Sequence, residues 1–407
     1  MKKNTDILCF NSIKATTGPV IIHRSVLKFH NFFLKRGYNI SIIFKEGIFN
    51  TEYMPNQTPQ NRNLKSKFEN AKHSFKSKVI SFYRSISFLN TLSYYYFDFS
   101  LKRKVVKYLK LNRNPEIVVT DSEREMYHFL KNNKNNTKTL LFMHSDGIPL
   151  KMVTLTSPNI KNTFFYKRMK KRYLYTIRNV DRIVFICDIG MQNFIKTYPD
   201  FDRSKLFVVL NGVEEQTSEK LETSFVSKST YNLSCVGSVS HRKGQDIIIN
   251  ALARADRSFI DKIHVNIIGD GPARNDIEEL IRLNNLSDNV SMLGSIDNSK
   301  VRKYLSNSNI FILMSRNEGL PISIIEAMRE GLAVISTDTS GIPELVENNY
   351  NGLLIDPSVE QLKKIFNNMD IYNWNLMGEN SKKLFEKKFK LDRVFSEYCD
   401  IYDSLTK

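Results

Sequence analysis

Two carboxylates eight residues apart, Glu318 and Glu326, stand in the stretch SRNEGLPISIIEAMREGLAVISTDTSGIPELVENNYNGLLIDP, from Ser315 to Pro357. The spacing straddles a loop and the first turns of a helix. Pro321 suits the first helical position and Gly331 the residue just past the helix end. Glu318 then lies in the loop, and Glu326 one to two turns inside the helix. The apolar run Phe311 to Met314 just upstream reads as a buried strand, so the unit is strand, glycine-bearing loop, helix. Such a loop presents backbone N–H groups and the positive end of a helix dipole, which together favour an anion. Carboxylates beside an anion site suit a ligand that carries both hydroxyls and phosphates. A nucleotide sugar has that chemistry.

The elements that must position these groups alternate along the whole chain. In the first half, strands are expected at Asp6 to Phe10, Asn39 to Phe44, Glu116 to Thr120, Thr139 to Met143, Arg182 to Cys187 and Leu206 to Leu210. A helical pattern runs from about Gly18 to Arg36. In the second half, strands are expected at Leu233 to Gly237, His264 to Ile268, Val290 to Leu293, Asn309 to Met314, Ala333 to Ser336 and Gly352 to Ile355. Strands separated by helices argue for parallel sheets with helices on both faces. The polar run Glu214 to Tyr231 reads as a linker. The expected organisation is therefore a domain over 1–213, a second over 214–380, and a final helical stretch over 381–407 able to pack back on the first.

One segment, 48–101, does not fit the alternation. After the turn-rich run Met54 to Asn63 it becomes basic and aromatic, with Phe68, Phe75, Val79 and Phe82 at helical spacing among lysines. Such a helix suits an anionic membrane surface, or a core-packing role with a solvated lysine face. A second basic cluster, Lys167, Arg168, Lys170, Lys171 and Arg172, falls in the same half.

Composition sets the class. A length of 407 residues suits two domains, and 41% hydrophobic with 25% charged residues is that of a soluble globular protein. No apolar run reaches the length of a membrane span, and the apolar run after Lys2 and Lys3 is too short for a signal-peptide core. Cys9, Cys187, Cys235 and Cys399 are scattered and read as reduced thiols, without a zinc or disulfide framework. The net charge of +18 is uneven: residues 1–200 hold 35 Lys and Arg against 13 Asp and Glu, and the rest 25 against 29. A basic half suits phosphorylated substrates, an anionic membrane or nucleic acid. No zinc finger, RNP-like motif or basic zipper supports nucleic acid as a partner. Gly269-Asp270-Gly271 follows a strand, but Arg274 occupies the third glycine position of a dinucleotide fingerprint, which excludes that reading.

Taken in order, these segments resemble glycosyltransferase family 4, the group 1 glycosyltransferases of the retaining GT-B superfamily. The resemblance covers essentially the whole chain and is densest over Leu206 to Pro357. It rests on the E-x7-E pair, on Thr339 to Pro357 (with Ser340 where a glycine is common), on Leu210 to Glu214, on Ile267 to Arg274 and on Val290 to Ile296. It implies an α/β GT-B fold: two Rossmann-like, doubly wound domains facing a central cleft. It also implies a donor that is a nucleotide sugar, a UDP-sugar first among them.

The same resemblance assigns roles. Glu318 meets sugar hydroxyls and Glu326 holds the ribose, while the backbone of Gly319 and Leu320, beside Pro321, meets the sugar or diphosphate. Many relatives carry arginine after the first glycine of the segment Val236 to Asp246, where this chain has Ser238. Arg242 and Lys243 supply the positive charge instead, which a departing diphosphate requires. Gly18, in the loop Lys14 to Pro19, stands where relatives bring a glycine-rich loop to the donor phosphate. His144, after the strand Leu140 to Met143, stands near the transferred sugar and acceptor, unless it is structural. Asp121 and Glu123 could face the acceptor, but Ser122 with Glu125 makes a capping box, and helix initiation explains that cluster better.

Retaining enzymes of this kind resemble one another in lacking a protein nucleophile. The implied reaction is front-face attack, with the leaving diphosphate oxygen taking the acceptor's proton. No metal or other cofactor is expected, and Asp200 and Asp202 read as loop residues. The expected acceptor is a saccharide, a lipid-linked saccharide or an anionic polymer in cell-surface polysaccharide biosynthesis. The expected location is cytoplasmic, peripheral on the inner membrane face where the basic half meets lipid. The competing reading is a non-catalytic nucleotide-sugar-binding subunit that supports a partner glycosyltransferase.

Overall fold

The computed structural model describes residues 2–11, 18–50, 87–133, 135–148, 150, 153–154, 158–215 and 231–406. The chain forms two compact units, Met1–Val209 with Phe395–Lys407, and Leu210–Val394. Each is built on one twisted sheet.

The first unit holds β1 (Lys3–Leu8), β2 (Tyr38–Phe44), β3 (Gly47–Asn50), β4 (Ile117–Thr120), β5 (Lys138–Met143), β6 (Arg182–Phe185) and β7 (Leu206–Val208). Their order is β3-β2-β1-β4-β5-β6-β7, and only β3 runs antiparallel to its neighbour. The second unit holds β8 (Tyr231–Val236), β9 (Ile263–Ile268), β10 (Val290–Gly294), β11 (Ile310–Leu313), β12 (Ala333–Thr337) and β13 (Gly352–Ile355), in the order β10-β9-β8-β11-β12-β13. All its pairs are parallel. That is the doubly wound 3-2-1-4-5-6 arrangement. β4, β11 and β12 are buried at every position, as strands covered on both faces must be. Right-handed crossovers on the two sides of the central strand put helices on opposite faces. Each sheet reverses direction once, between β1 and β4 in the first unit and between β8 and β11 in the second. Ligands of open α/β sheets bind at the carboxyl ends of the strands at such a point.

Every strand expected from the sequence is present, and the short antiparallel β3 is an addition. It lies at the start of the segment that breaks the alternation, which also supplies most of the helix Ser87–Leu109. The expected basic amphipathic helix on Phe68, Phe75, Val79 and Phe82 falls outside the described residues. The helical pattern from Gly18 to Arg36 is two helices, Gly18–Lys28 and His30–Lys35, broken at Phe29. Among the described residues no helix is long and apolar enough to cross a membrane.

The final stretch corrects the expectation of one helix from residue 381. Two helices are present, Trp374–Lys388 and Leu391–Thr406. They are separated where Phe389 O accepts from Val213 N at 3.0 Å and Val213 bridges Lys390. The backbone there pairs across the unit instead of continuing the helix. From Phe395 onward the chain belongs to the first unit. Phe395 packs on Phe33 with ring centroids 5.0 Å apart, Tyr398 on Phe142 at 5.0 Å, and Tyr402 on Tyr38 at 5.3 Å. Lys3 Nζ reaches Asp403 at 3.0 Å, and the Tyr38 hydroxyl also binds Asp403.

Candidate functional site

At the reversal point of the second sheet, two loops meet. The loop after β8 runs through Gly237 and Ser238 into a short 3-10 turn, His241–Lys243, and Gly244 then opens the helix Gln245–Arg254. Gly244 has φ +71°, and a Cβ there would lie 1.9 Å from the Met314 carbonyl oxygen. Only glycine lets the two loops approach this closely. The loop after β11 runs from Ser315 to Leu320, ahead of the helix Ile322–Arg329. Pro321 is its N-cap and Gly331, at φ +78°, follows its end.

Three donors converge on one oxygen of Glu318. Lys243 Nζ lies 2.6 Å from Oε1 and Arg242 Nη1 3.1 Å from it, and Ser315 Oγ donates to it at 2.7 Å. The Glu318 side chain is 7% exposed and that of Lys243 12%, whereas Arg242 is 41% exposed. Arg242 Nη1 also donates to the Asn317 carbonyl at 2.7 Å, and Arg316 N donates to Arg242 O at 2.8 Å. Arg316 and Asp246 close a bidentate pair at 2.9 and 2.7 Å. That pair is neutral in sum, while Arg242 and Lys243 together outnumber Glu318 by one positive charge. A partly enclosed, net positive pair of loops favours an anion.

The rest of the wall is backbone. Ser238 is exposed and its carbonyl accepts from Gln245 Nε2 at 3.1 Å. Gly319 O accepts from Gly341 N at 3.0 Å, and Leu320 O from Asn211 Nδ2 at 2.9 Å. Ser340 adopts φ +53°, a left-handed conformation that glycine adopts most readily. Its Oγ accepts from Glu318 N at 3.4 Å. Glu326 lies in the second turn of the helix and is half-buried. Burial raises its carboxyl above the ordinary range, against the nearby Arg329 charge.

The first unit gathers a second group at its own reversal point. Asp121 follows β4 and His144 follows β5, and His23 lies in the helix Gly18–Lys28 after β1. Asp121 bridges the two imidazoles: Oδ1 meets His144 Nε2 at 2.9 Å, and Oδ2 meets His23 Nε2. Burial favours the neutral forms, but the mutual charges win. The His23 imidazole is lifted to about 10, chiefly by Asp121 with help from Cys9, and Asp121 is held well below the ordinary carboxylate range by both histidines. An ionised Asp121 only accepts hydrogen bonds. His144 therefore donates from Nε2, and its Nδ1 is buried and unpartnered. The His144 ring stacks on Phe142, centroids 6.1 Å apart, and Phe142 in turn meets Tyr398 of the final helix.

This arrangement corrects one expectation. Ser122 is the N-cap of the helix Glu123–Asn132, and it accepts from Arg124 N at 3.3 Å. Asp121 takes no part in that cap, and its carboxylate is the hub of the histidine pair. Glu125 is buried, and desolvation with the Asp121 charge lifts its carboxyl to about 8. His23 went unread in the sequence. The signal was partial: Asp121 and His144 directly follow adjacent strands, whereas His23 lies in the second turn of the helix after β1. Gly18 opens its helix, and the remainder of its loop, 12–17, lies outside the described residues. Cys9, His23 and Asp121 bring one ligand atom each within 4.8 Å of one another, the closest approach to a metal-ligand set among the described residues. Their donors are engaged with each other, since Asp121 already bonds His23. Asp202 caps a 3-10 turn by accepting from Ser204 N at 3.0 Å.

Comparison with known proteins bears on this pair of sites. The family described as glycosyl transferases group 1 matches residues 191–370, the span that contains Arg242, Lys243, Glu318 and Glu326. That span, a little under half of the chain, resembles the group 1 glycosyl transferases. An uncharacterized glycosyltransferase of Methanocaldococcus jannaschii is 28% identical over 285 residues, 68% of this chain and 71% of the relative. Other curated relatives are matched over 44% to 63% of their own length. Among solved structures, sucrose-phosphate synthase from Thermosynechococcus elongatus superposes with TM-score 0.70 at 15% identity, covering 100% of this chain and 99% of that one. Anabaena HepE in complex with UDP and glucose superposes with TM-score 0.66 at 15% identity, over 99% and 100%. These superpositions show that the chain has the GT-B class of fold.

Proposed function

We propose that this glycosyltransferase moves a sugar, with retention of configuration, from a UDP-sugar to a saccharide, lipid-linked saccharide or anionic polymer in cell-surface polysaccharide biosynthesis. The observation that carries the reading is the convergence of Lys243, Arg242 and Ser315 on Glu318 Oε1. With one oxygen so held, Oε2 is the one to accept from a sugar hydroxyl. Lys243 and Arg242 stand ready for the charge that grows on the diphosphate as the sugar bond breaks. The C1–diphosphate bond breaks, the acceptor oxygen bonds C1 on the same face, and the acceptor's proton passes to the departing diphosphate oxygen. The backbone of Gly319 and Leu320, beside Pro321 and Ser238, meets the sugar or diphosphate, and Glu326 holds the ribose. His144 stands close to the transferred sugar and the acceptor. The UDP in a solved neighbour supports the choice of base. Positive side chains take the place of a divalent ion, so no metal is needed.

The test is nucleotide-sugar turnover across UDP-, GDP- and ADP-sugars, with EDTA present and Glu318→Ala as control. Slow release of an α-configured sugar from one donor, lost in the variant, is the expected result. Binding of a donor without turnover, with or without saccharide acceptors, would favour a supporting subunit. Loss of activity in EDTA with recovery on adding Mn²⁺ would refute metal independence.

A further inference from the structure

The helices Glu123–Asn132 and Phe164–Asn179 of the first unit pack side by side, and a concavity of about 450 Å³ lies over them. That volume is within the range of small-molecule sites. Five cations line it: Lys131, Lys167, Arg168, Lys171 and Arg172. None of the residues that line it is acidic. Arg172 is answered from outside by Asp98 at 2.5 Å. Lys167 with Lys171, and Arg168 with Arg172, repeat at i,i+4, where like charges repel and destabilise a helix. The arrangement opposes helix stability, and an anion spanning the groove would reverse its sign.

The floor is aromatic and held in place. Tyr127 and Tyr175 meet edge to face at 5.7 Å, Lys131 Nζ sits 3.9 Å over the Tyr175 ring, and Arg172 stacks 5.0 Å over Tyr127. Phe164, 74% exposed, stands at one end. A lipid surface would need a broad apolar face; exposed Tyr96, Phe97 and Phe99 flank Asp98, the partner of Arg172, but the hollow itself is lined by five cations and one exposed phenylalanine. Between Phe164 and Tyr175 a helix rises about 16 Å, the reach of a short chain of sugars.

We propose that this groove binds an anionic saccharide, a chain of sugar units that bear carboxylate, phosphate or sulfate groups. The cations meet the anionic groups and the rings meet sugar faces. Calling this saccharide the acceptor rests on the glycosyl-transfer reading, whereas the binding itself does not.

The experiment measures binding of labelled oligogalacturonate to the full chain, with maltooligosaccharide of equal length as the neutral control. Vesicles of phosphatidylcholine with and without phosphatidylglycerol, and a single-stranded DNA oligomer, complete the set. Oligogalacturonate should bind in a salt-sensitive manner and the neutral chain should not. Lys167→Glu with Lys171→Glu, both exposed, should weaken binding about tenfold or more while UDP binding and the melting temperature stay as in the wild type. Tyr175→Ala should weaken it without changing its salt dependence. Equal oligogalacturonate binding in the charge-reversed variant overturns the proposal. So does binding of anionic vesicles or DNA without oligogalacturonate, which would make the groove a membrane or nucleic-acid surface. Donor turnover is read separately: if no donor turns over yet oligogalacturonate binding depends on Lys167 and Lys171, the transfer reading fails and this one stands.

Discussion

Replacing Lys243 with alanine removes the most enclosed positive charge at the donor site. The structure sets two separate magnitudes. For stability, Glu318 keeps Ser315 Oγ at 2.7 Å and Arg242 at 3.1 Å, so it is not orphaned. The cost should then be that of one lost charged hydrogen bond, about 1.5–3 kcal/mol, and below the roughly 3–5 kcal/mol of an abandoned buried charge. For a unit of this size that lowers its melting temperature by about 3–12 °C. For catalysis, Arg242 cannot take over: its side chain is 41% exposed and one nitrogen is tied to the Asn317 carbonyl. Loss of one preorganised donor at the leaving group should lower turnover about a hundredfold, or about 2.7 kcal/mol. Since that charge develops in the transition state, the loss should fall on kcat more than on KM. Initial rates of nucleotide release at saturating donor, beside differential scanning fluorimetry, separate the two effects. Lys243→Arg keeps the charge but swaps a point ammonium for a planar fork, and should recover only part of the rate. Turnover of Lys243→Ala within about threefold of wild type would refute its role in stabilising the leaving group.

Two further substitutions test the parts around these sites. Asp121→Asn leaves His23 buried without its anion and should destabilise the first unit by about 3–5 kcal/mol in urea titrations. The His23 contribution is complete below about pH 6.5 and fades as pH rises toward 10, and that of Asp121 is present above about pH 3.8 and is lost on acidification. The wild type should therefore lose stability from about pH 6.5 upward, a slope absent from the variant; equal slopes would count against a charged pair. Gly244→Ala forces a Cβ to within 1.9 Å of Met314 O at φ +71°. We expect a lower melting temperature by several degrees and weaker UDP binding in calorimetry, and an unaltered variant would show that the two loops are free to separate.

Much of the fold was legible because its signals are local. Runs such as Phe311 to Met314 and Ala333 to Ser336 are apolar throughout, since parallel strands are covered on both faces, and Pro321 and Gly331 bracket one helix as punctuation does. The break at Phe389–Lys390 was not legible, because it follows from a backbone pairing with Val213, 177 residues earlier. The short strand β3 was hidden by the absence of alternation in its four residues.

The site divides in the same way. The types and order of Arg242, Lys243, Glu318 and Glu326 are sequence properties, and with them the resemblance to the group 1 glycosyl transferases. That Lys243, Arg242 and Ser315 share one oxygen of Glu318, and that Asp121 joins His23 and His144 instead of the helix cap beside it, was decided only by the tertiary structure. Strand order brings the ends of β1, β4 and β5 together in one sheet, and of β8 and β11 in the other. A side chain's neighbours there depend on that order, which no local spacing of residues encodes.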